Sequence, residues 1–473
     1  MNTFENNKIN EDLKNFHITS KGFKIPLDHP KVNEIKKELF VQPYCENPVR
    51  FPIFRISDKF LYMPKYYGIN KFSLPNIENI KEQCGLSVDI NFISKLRDYQ
   101  LETCYKILLH LKKNQSGLVS VYTGWGKTCA ALWIASQLKR KTLIIVHTEN
   151  LLQQWKERIN EFLGITNDEI GVIQGPKLDI ENKKICIGMI QSISMKDYPI
   201  GTFKEFGFMI GDEIHHFSSR MFSKIFYKIG TKYNLGLSAT LTRSDGLTKV
   251  IKYFLGETIV SLKLSILNPT IIVKFTNIDP LEEKRMVNGK ANIPGMINDL
   301  CDSFARNLEI VNIIKEKYNE GRKILVLSDR RNHCNQLKRL LEATIPNSEN
   351  EVGLYYGGMK NASLQESNKK RIIIATYQIA SEGYDNKELD TLVFATPKSK
   401  IEQAIGRILR QENSNEPEVI DFVDSWSVFN NLYFSRNRFY KKKKYNITGD
   451  IKIENQKDQQ NIKLDKCVIV DDS

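Results

Sequence analysis

From Leu96 onward, short apolar runs alternate with amphipathic stretches. Leu118–Tyr122, Thr142–Val146, Lys184–Met189, Phe208–Gly211 and Tyr233–Leu237 are rich in Val, Ile and Leu and are bounded by polar residues or glycine. Apolar runs of this length without strict alternation predict strands buried on both faces of a parallel sheet. Helices over 129–139, 149–162 and 219–229 would supply the crossovers. The same grammar returns in Ile324–Ser328, Val352–Tyr356, Ile372–Ala375, Thr391–Ala395 and Glu418–Asp424, with helices near 302–319, 332–343, 362–368 and 400–410. The predicted fold class is therefore α/β, with two tandem parallel-sheet domains over 96–262 and 263–449. Residues 263–300 would connect the two, with loops at Asn288-Gly289 and Pro294-Gly295. Residues 450–473 are polar with alternating charges and predict a flexible tail.

Residues 1–95 predict a small β-containing accessory domain with a possible role in DNA contact. Phe51–Ile56 and Phe60–Tyr67 read as strands joined by a Ser57-Asp58-Lys59 turn. Arg50, Arg55, Lys59, Lys65 and Lys71 interleave there with Phe60, Tyr66 and Tyr67. Such a mixture can hold a strand by phosphate contact and base stacking, or can simply be a basic rim. Near the other end, Arg436, Arg438 and Lys441 to Lys444 follow Phe429, Leu432, Tyr433 and precede the tail. This segment suits phosphate contact, a solvated helix end or a nuclear address.

Composition narrows the class. The chain has 473 residues, 41% hydrophobic and 26% charged, a globular balance large enough for two or three domains. Lys and Arg exceed Asp and Glu by 69 − 55 = 14, which favours a polyanionic partner, nucleic acid first. No apolar run reaches the roughly 18 residues needed to cross a bilayer. The first residues, MNTFENNKINEDLKNFH, lack the apolar stretch of a secretion signal, so an intracellular place is expected. Eight cysteines form no C-x-x-C pair and read as reduced thiols, not a zinc or disulfide framework.

Candidate chemistry starts at VYTGWGKT, residues 121–128, between a predicted strand and a predicted helix. Gly124 and Gly126 would let backbone N–H groups face a phosphate chain. Lys127 would place a cation at the β and γ phosphates, and the Thr128 hydroxyl could ligate Mg²⁺. At the end of another predicted strand, Asp212 would hold Mg²⁺ and Glu213 would orient and deprotonate water. His215 would couple this site to Ser238 and Thr240, two hydroxyls 26 residues and more beyond Asp212. Adjacent His215 and His216 cannot easily both meet a metal held by Asp212, so zinc is disfavoured. In the second α/β region, Arg407 and Arg410 lie at i, i+3 on a predicted helix and would clamp a transferring phosphoryl group. An arginine in that role contributes about 10³–10⁵ in rate, whereas a surface ion pair contributes under about 1 kcal/mol.

These motifs carry a resemblance. Over roughly 96–425 the chain resembles superfamily 2 helicases, with seven motifs in order. Leu96-Arg97-Asp98-Tyr99-Gln100 looks like the glutamine motif that reads adenine. VHTENLLQQW (146–155) and Met189-Ile190-Gln191-Ser192 look like strand-contact motifs, and TLTRSDG (240–246) extends the Ser-Ala-Thr motif. ILVLSDRR (324–331), ATYQIASEGYD (375–385) and QAIGRILR (403–410) resemble motifs IV, V and VI. The DExH box, with Gln403 opening motif VI, is more similar to XPB-type and phage repair helicases, and to the helicases of large cytoplasmic DNA viruses, than to DEAD-box RNA helicases. His147 in place of a proline, and the bulky Trp125, depart from the family pattern.

The resemblance implies two RecA-like lobes and a bound ATP with Mg²⁺. Arg97, Gln100, Thr123, Gly124, Trp125, Gly126, Lys127, Thr128, Gly383 and Asp385 would line the nucleotide, with Gln403 among the catalytic group. Thr148, Gln191, Arg243 and Thr376 would touch nucleic acid, with DNA favoured over RNA. It implies a DNA helicase or translocase in transcription, repair or recombination, with partners in those processes. If the source is viral, the virion or viral factory is the expected place. An RNA-directed ATPase and an ATP-gated clamp or transcript-release factor remain as alternatives.

Overall fold

The computed structural model describes residues 16–44, 48–81, 83–122, 124–239, 241, 243, 245–262, 268–276, 284–286, 289, 291–346, 348–378, 386, 388–409, 415–424 and 426–450. The chain divides into two compact units, Met1–Leu264 and Ser265–Ser473. The architecture is α/β with two tandem parallel-sheet lobes, as the apolar runs predict.

The first unit holds an eight-stranded sheet. Its order is Lys177–Asp179, Ile170–Gln174, Ile185–Met189, Thr142–Val146, Phe208–Gly211, Tyr233–Ser238, Ser116–Val121 and Thr258–Leu262. All neighbours pair in parallel except the Lys177–Asp179 edge. Parallel strands need crossovers, and Lys127–Leu138 and Glu149–Leu163 are helices that provide them. Because Phe208–Gly211, Tyr233–Ser238 and Ser116–Val121 are consecutive neighbours, the loops leaving their carboxyl ends share one edge of the sheet. That edge is where open α/β sheets bind ligands.

A five-stranded sheet precedes it, ordered Arg55–Ile56, Phe60–Met63, Gly22–Pro26, His17–Thr19 and Ile80–Lys81. Phe23, Ile25, Leu61 and Met63 alternate inward and are fully buried. They join one apolar cluster with Leu118, Leu143, Met209 and Phe254 of the larger sheet and its helices, so the two sheets of this unit share a core. Tyr66 and Tyr67 depart from the strand expected of them and lie in the helix Lys65–Phe72. Pro64 (φ −52°, ψ 136°) precedes that helix and cannot donate to a strand ladder, which ends the strand at Met63.

The second unit holds an all-parallel sheet of seven strands, ordered Val352–Tyr355, Ile372–Thr376, Ile324–Ser328, Thr391–Phe394, Glu418–Val423, Thr270–Phe275 and Asn446–Gly449. Thr270–Phe275 lies inside the stretch expected to be a connection. It pairs with Glu418–Val423 along six residues, a partner far away in sequence. Asn446–Gly449 pairs on its other side. Two further helices differ from expectation: 219–229 is a 3₁₀ segment, Phe222–Tyr227, and the motif VI helix is only Glu402–Ile405.

Candidate active site

The loop expected to hold phosphate leaves Val121 and enters the helix Lys127–Leu138 through Gly126, whose φ is 97°. A Cβ there would meet the Gln100 Nε2 at 2.4 Å, so only glycine fits both the dihedral and the space. Gln100 is buried and spans two elements. Its Oε1 accepts the Arg97 N–H at 3.0 Å, and its Nε2 donates to the Trp125 carbonyl at 2.8 Å. Gln100 thereby braces the loop from the preceding helix Asp98–Asn114. Tyr99 also donates to the Trp125 carbonyl, at 3.3 Å, and Arg97 donates to the Tyr99 hydroxyl at 2.9 Å. Trp125 is 2% exposed: its bulk packs into the core instead of blocking the loop.

At the neighbouring strand ends the acidic pair appears. Lys127 Nζ lies 3.1 Å from Glu213 Oε1. Ser238 Oγ donates to Glu213 Oε2 at 3.2 Å and sits 3.0 Å from His215 Nδ1. An Nδ1–H tautomer of His215 lets all three groups bond at once. Glu213 has φ 45° and ψ 53°, a left-handed conformation that a non-glycine residue adopts at a cost of about 1–3 kcal/mol. Burial alone would raise the Glu213 carboxyl, but the Lys127 charge and the His215 hydrogen bond outweigh it and hold the group below the usual carboxylate range. Asp212 moves the other way, raised by its burial and by the charge of Glu213. The adjacent carboxyls are thus pushed apart, a pattern that suits different roles.

Some of the wiring has no clear sequence signal. Trp155 donates its indole N–H to Asp212 Oδ2 at 2.8 Å, while Oδ1 accepts the Glu213 N–H at 3.0 Å. Trp155 lies on the apolar face of its helix with Leu151, Leu152 and Ile159, and so reads as plain core. Arg243 donates through Nη1 to the His215 carbonyl at 2.6 Å and through Nε to Asp245 Oδ1 at 2.9 Å. The Asp245 carbonyl in turn accepts the Tyr44 N–H at 2.9 Å. A bonded chain therefore runs from the segment before the large sheet to Glu213.

Of the residues expected at nucleic acid, Thr148 caps the helix Glu149–Leu163 by accepting the Leu151 N–H at 3.3 Å, and Gln191 donates to the His147 carbonyl at 2.9 Å. His147 and His216 stack with ring centroids 4.1 Å apart, and His215 and His216 lie 4.2 Å apart. Burial pushes His147 down to about 4 and His216 to about 3, so both rings are neutral at pH 7. Among the described residues, no group of three His, Cys, Asp or Glu is arranged to hold a metal.

In the second unit, Thr376 ends the strand Ile372–Thr376, Gln403 lies in the short helix Glu402–Ile405, and Arg407 follows in the turn after it. Other cations there are structural. Arg306 is fully buried, with Nε 2.7 Å from Asp424 Oδ1, Nη2 3.0 Å from Oδ2 and Nη1 2.7 Å from the Ala395 carbonyl. Arg436, read as part of a basic surface segment, is 1% exposed and pairs with Asp421 at 2.9 Å, which also accepts the Tyr440 hydroxyl. It is therefore removed from phosphate contact. Thr123, Thr240, Gly383, Asp385 and Arg410 lie outside the described residues.

Comparison with known proteins places the chain in a family. Residues 93–243 match the family described as type III restriction enzyme, res subunit. The chain is 34% identical over 462 residues to the "Putative ATP-dependent RNA helicase L396" of Acanthamoeba polyphaga mimivirus, covering 93% of this chain and 87% of that protein. This chain belongs to a helicase family with members in large DNA viruses. The helicase is also 29% identical over 352 residues to the "Putative ATP-dependent RNA helicase QP509L" of African swine fever virus (isolate Pig/Kenya/KEN-50/1950), covering 69% of this chain and 68% of that one. Its fold matches 32% of the ATP-dependent type ISP restriction-modification enzyme LlaBIII bound to DNA, over 78% of this chain, with TM-score 0.52 and 15% identity. Among the described residues, no helix is long and apolar enough to cross a membrane.

Proposed function

We propose that this helicase hydrolyses ATP and uses the cycle to move along, or unwind, a nucleic-acid strand. The convergence of Lys127, Glu213, Ser238 and His215 at adjacent strand ends carries the reading. The backbone of Gly124 and Gly126 and the first turn of Lys127–Leu138 would receive the phosphates. Lys127, now paired to Glu213, would turn to the β and γ phosphates and free the carboxylate to take a proton from the attacking water. The bond formed is water oxygen to γ-phosphorus, and the bond broken is that to the β–γ bridging oxygen.

The buried Asp212 carboxylate and the Thr128 hydroxyl are hard oxygen donors that fit Mg²⁺, which binds through one or two carboxylates plus substrate phosphates. Mg²⁺ held there would neutralise phosphate charge. The Ser238 hydroxyl and His215 would relay loss of the γ-phosphate toward Arg243. Arg97 and Thr123 would set the nucleoside end, with the buried Gln100 and Trp125 bracing the loop behind it. Gln403, Arg407 and Arg410, with Gly383 and Asp385, would be further residues that act on the nucleotide. A conformation that binds the γ-phosphate more tightly is favoured while it is present, and its release removes that difference. Thr148, Gln191, Arg243 and Thr376 would hold the strand backbone.

The motif pattern favours DNA. The names of the two viral relatives favour RNA, and that is the second reading. The test is ATP turnover with single-stranded DNA, duplex DNA and RNA at several salt concentrations, beside strand displacement with 3′ and 5′ overhangs. Stimulation by DNA above RNA is expected, and Lys127→Ala should abolish it. Stimulation by RNA alone selects the second reading. Normal turnover in Lys127→Ala refutes the phosphate-loop assignment.

A further inference from the structure

The small sheet of the first unit has one face in the shared core, and its other face carries a repeating pattern. Strand register aligns Arg55 with Tyr62, Tyr62 with Lys24 and Lys24 with His17, one row across four strands. By alternation, Phe60 and Lys81 project from the same side, Phe60 two residues from Tyr62 and Lys81 opposite Thr19. Lys24 Nζ lies 4.1 Å from the Phe60 ring centroid, and the Phe60 and Tyr62 rings meet edge to face at 6.5 Å. Phe60 and Tyr62 are half-buried, Tyr62 packing in part against the shared core, whereas Leu61 and Met63 are fully buried.

The charge on this face is of one sign. Among the described residues no ion pair engages Arg55, Lys24 or Lys81. Burial, then Lys24 and Lys81, lower the basicity of His17, which places those two charges in one field. Nearby, Lys228 is lowered by burial and by Arg55 and Lys224, although Asp197, 3.9 Å away, acts in the opposite direction. Arg55 also lies 5.1 Å from the Tyr227 ring centroid.

We infer that this sheet face is a second polynucleotide contact, separate from the motif loops, and that it takes a single strand. Lys24, Arg55 and Lys81 meet the phosphates, and Phe60 and Tyr62 offer π-faces to unpaired bases. An ordinary solvated sheet face would mix charges of both signs. A row of cations interleaved with aromatic rings is what a strand with phosphates on one side and bases on the other complements. The inference deepens the helicase reading by naming where a strand would be held outside the motor core.

The experiment is fluorescence anisotropy of labelled oligo-dT, oligo-rU and a blunt duplex with the full chain, without nucleotide, across a salt series. Lys24→Gln with Arg55→Gln should weaken oligo-dT and oligo-rU binding about 10-fold or more at low salt. It should also flatten the salt dependence by about 0.7 in log–log slope for each phosphate no longer neutralised. Phe60→Leu, which keeps an apolar side chain, should cost about 5-fold or more on single strands and leave duplex binding unchanged. Wild-type binding and slope in the double variant would overturn the proposal, and equal losses on duplex and single strand in Phe60→Leu would overturn the single-strand assignment. ATP turnover of the double variant without nucleic acid should equal wild type. Because binding is read without nucleotide, a protein that never hydrolyses ATP would sink the motor reading and leave this one standing.

Discussion

The two units are built on the same kind of sheet but use their charged residues in opposite ways. In the first, Lys127, Glu213, His215 and Arg243 are linked to one another at the strand ends, and Lys127 and Glu213 keep 15% and 18% of their side-chain surface exposed. In the second, Arg306 and Arg436 sink completely into ion pairs with Asp424 and Asp421. Breaking a buried pair costs about 3–5 kcal/mol, because the charge left behind has no water. A partly exposed pair loses little when broken, which makes it available to rearrange around a ligand. Arginine in the second unit thus divides into residues that hold the sheet and residues such as Arg407, which lies in a turn and is proposed to act on phosphate.

The largest effect that could break this division is at Arg407. Arg407→Ala should lower the rate of ATP turnover by about 10³-fold or more. Turnover at the wild-type rate would end the proposal that Arg407 acts on phosphate. Next comes Glu213→Gln, which should retain nucleotide binding by fluorescence titration while turnover falls by about 10²–10⁴-fold. Abolished binding would instead make Glu213 a structural partner of Lys127.

Arg306→Ala should show the reverse of Arg407→Ala. It should destabilise by about 3–5 kcal/mol in denaturant melts, leaving the carboxylate of Asp424 buried and unpaired. An unchanged midpoint would show that this pair is not structural.

The smallest effect concerns His147 and His216. In the unfolded chain both rings titrate near about 6.5, but in the folded protein they stay neutral down to about 4 and about 3. Between those values only the unfolded chain takes up the protons. Stability should therefore fall as pH drops from about 6.5 toward about 4, by up to about 2 kcal/mol per ring at about pH 5. Melting curves at about pH 7.5 and about pH 5 check this, and His147→Asn should lose less. An equal loss in that variant would assign the acid sensitivity elsewhere.

Much of the fold, and the loop proposed to hold phosphate, was legible in the chain alone, for local reasons. Continuous Val, Ile and Leu runs such as Thr142–Val146 and Ile324–Ser328 are strands to the residue, since a strand buried on both faces needs no polar alternation. The Gly124, Gly126 and Lys127 loop was readable because a tight turn before a helix restricts which residues fit. Family membership followed from the order of motifs.

Tertiary structure decided what depends on distant partners. Thr270–Phe275 becomes a strand between Glu418–Val423 and Asn446–Gly449, neither of which its own neighbourhood announces. Trp155 becomes the hydrogen-bond donor to Asp212 only when its helix packs behind the strand end, and Arg436 leaves the surface only when Asp421 meets it. Sequence period fixes which face of an element is apolar. Which charge finds which partner is set by packing, because a buried ion is tolerated only where another chain segment delivers its counter-charge.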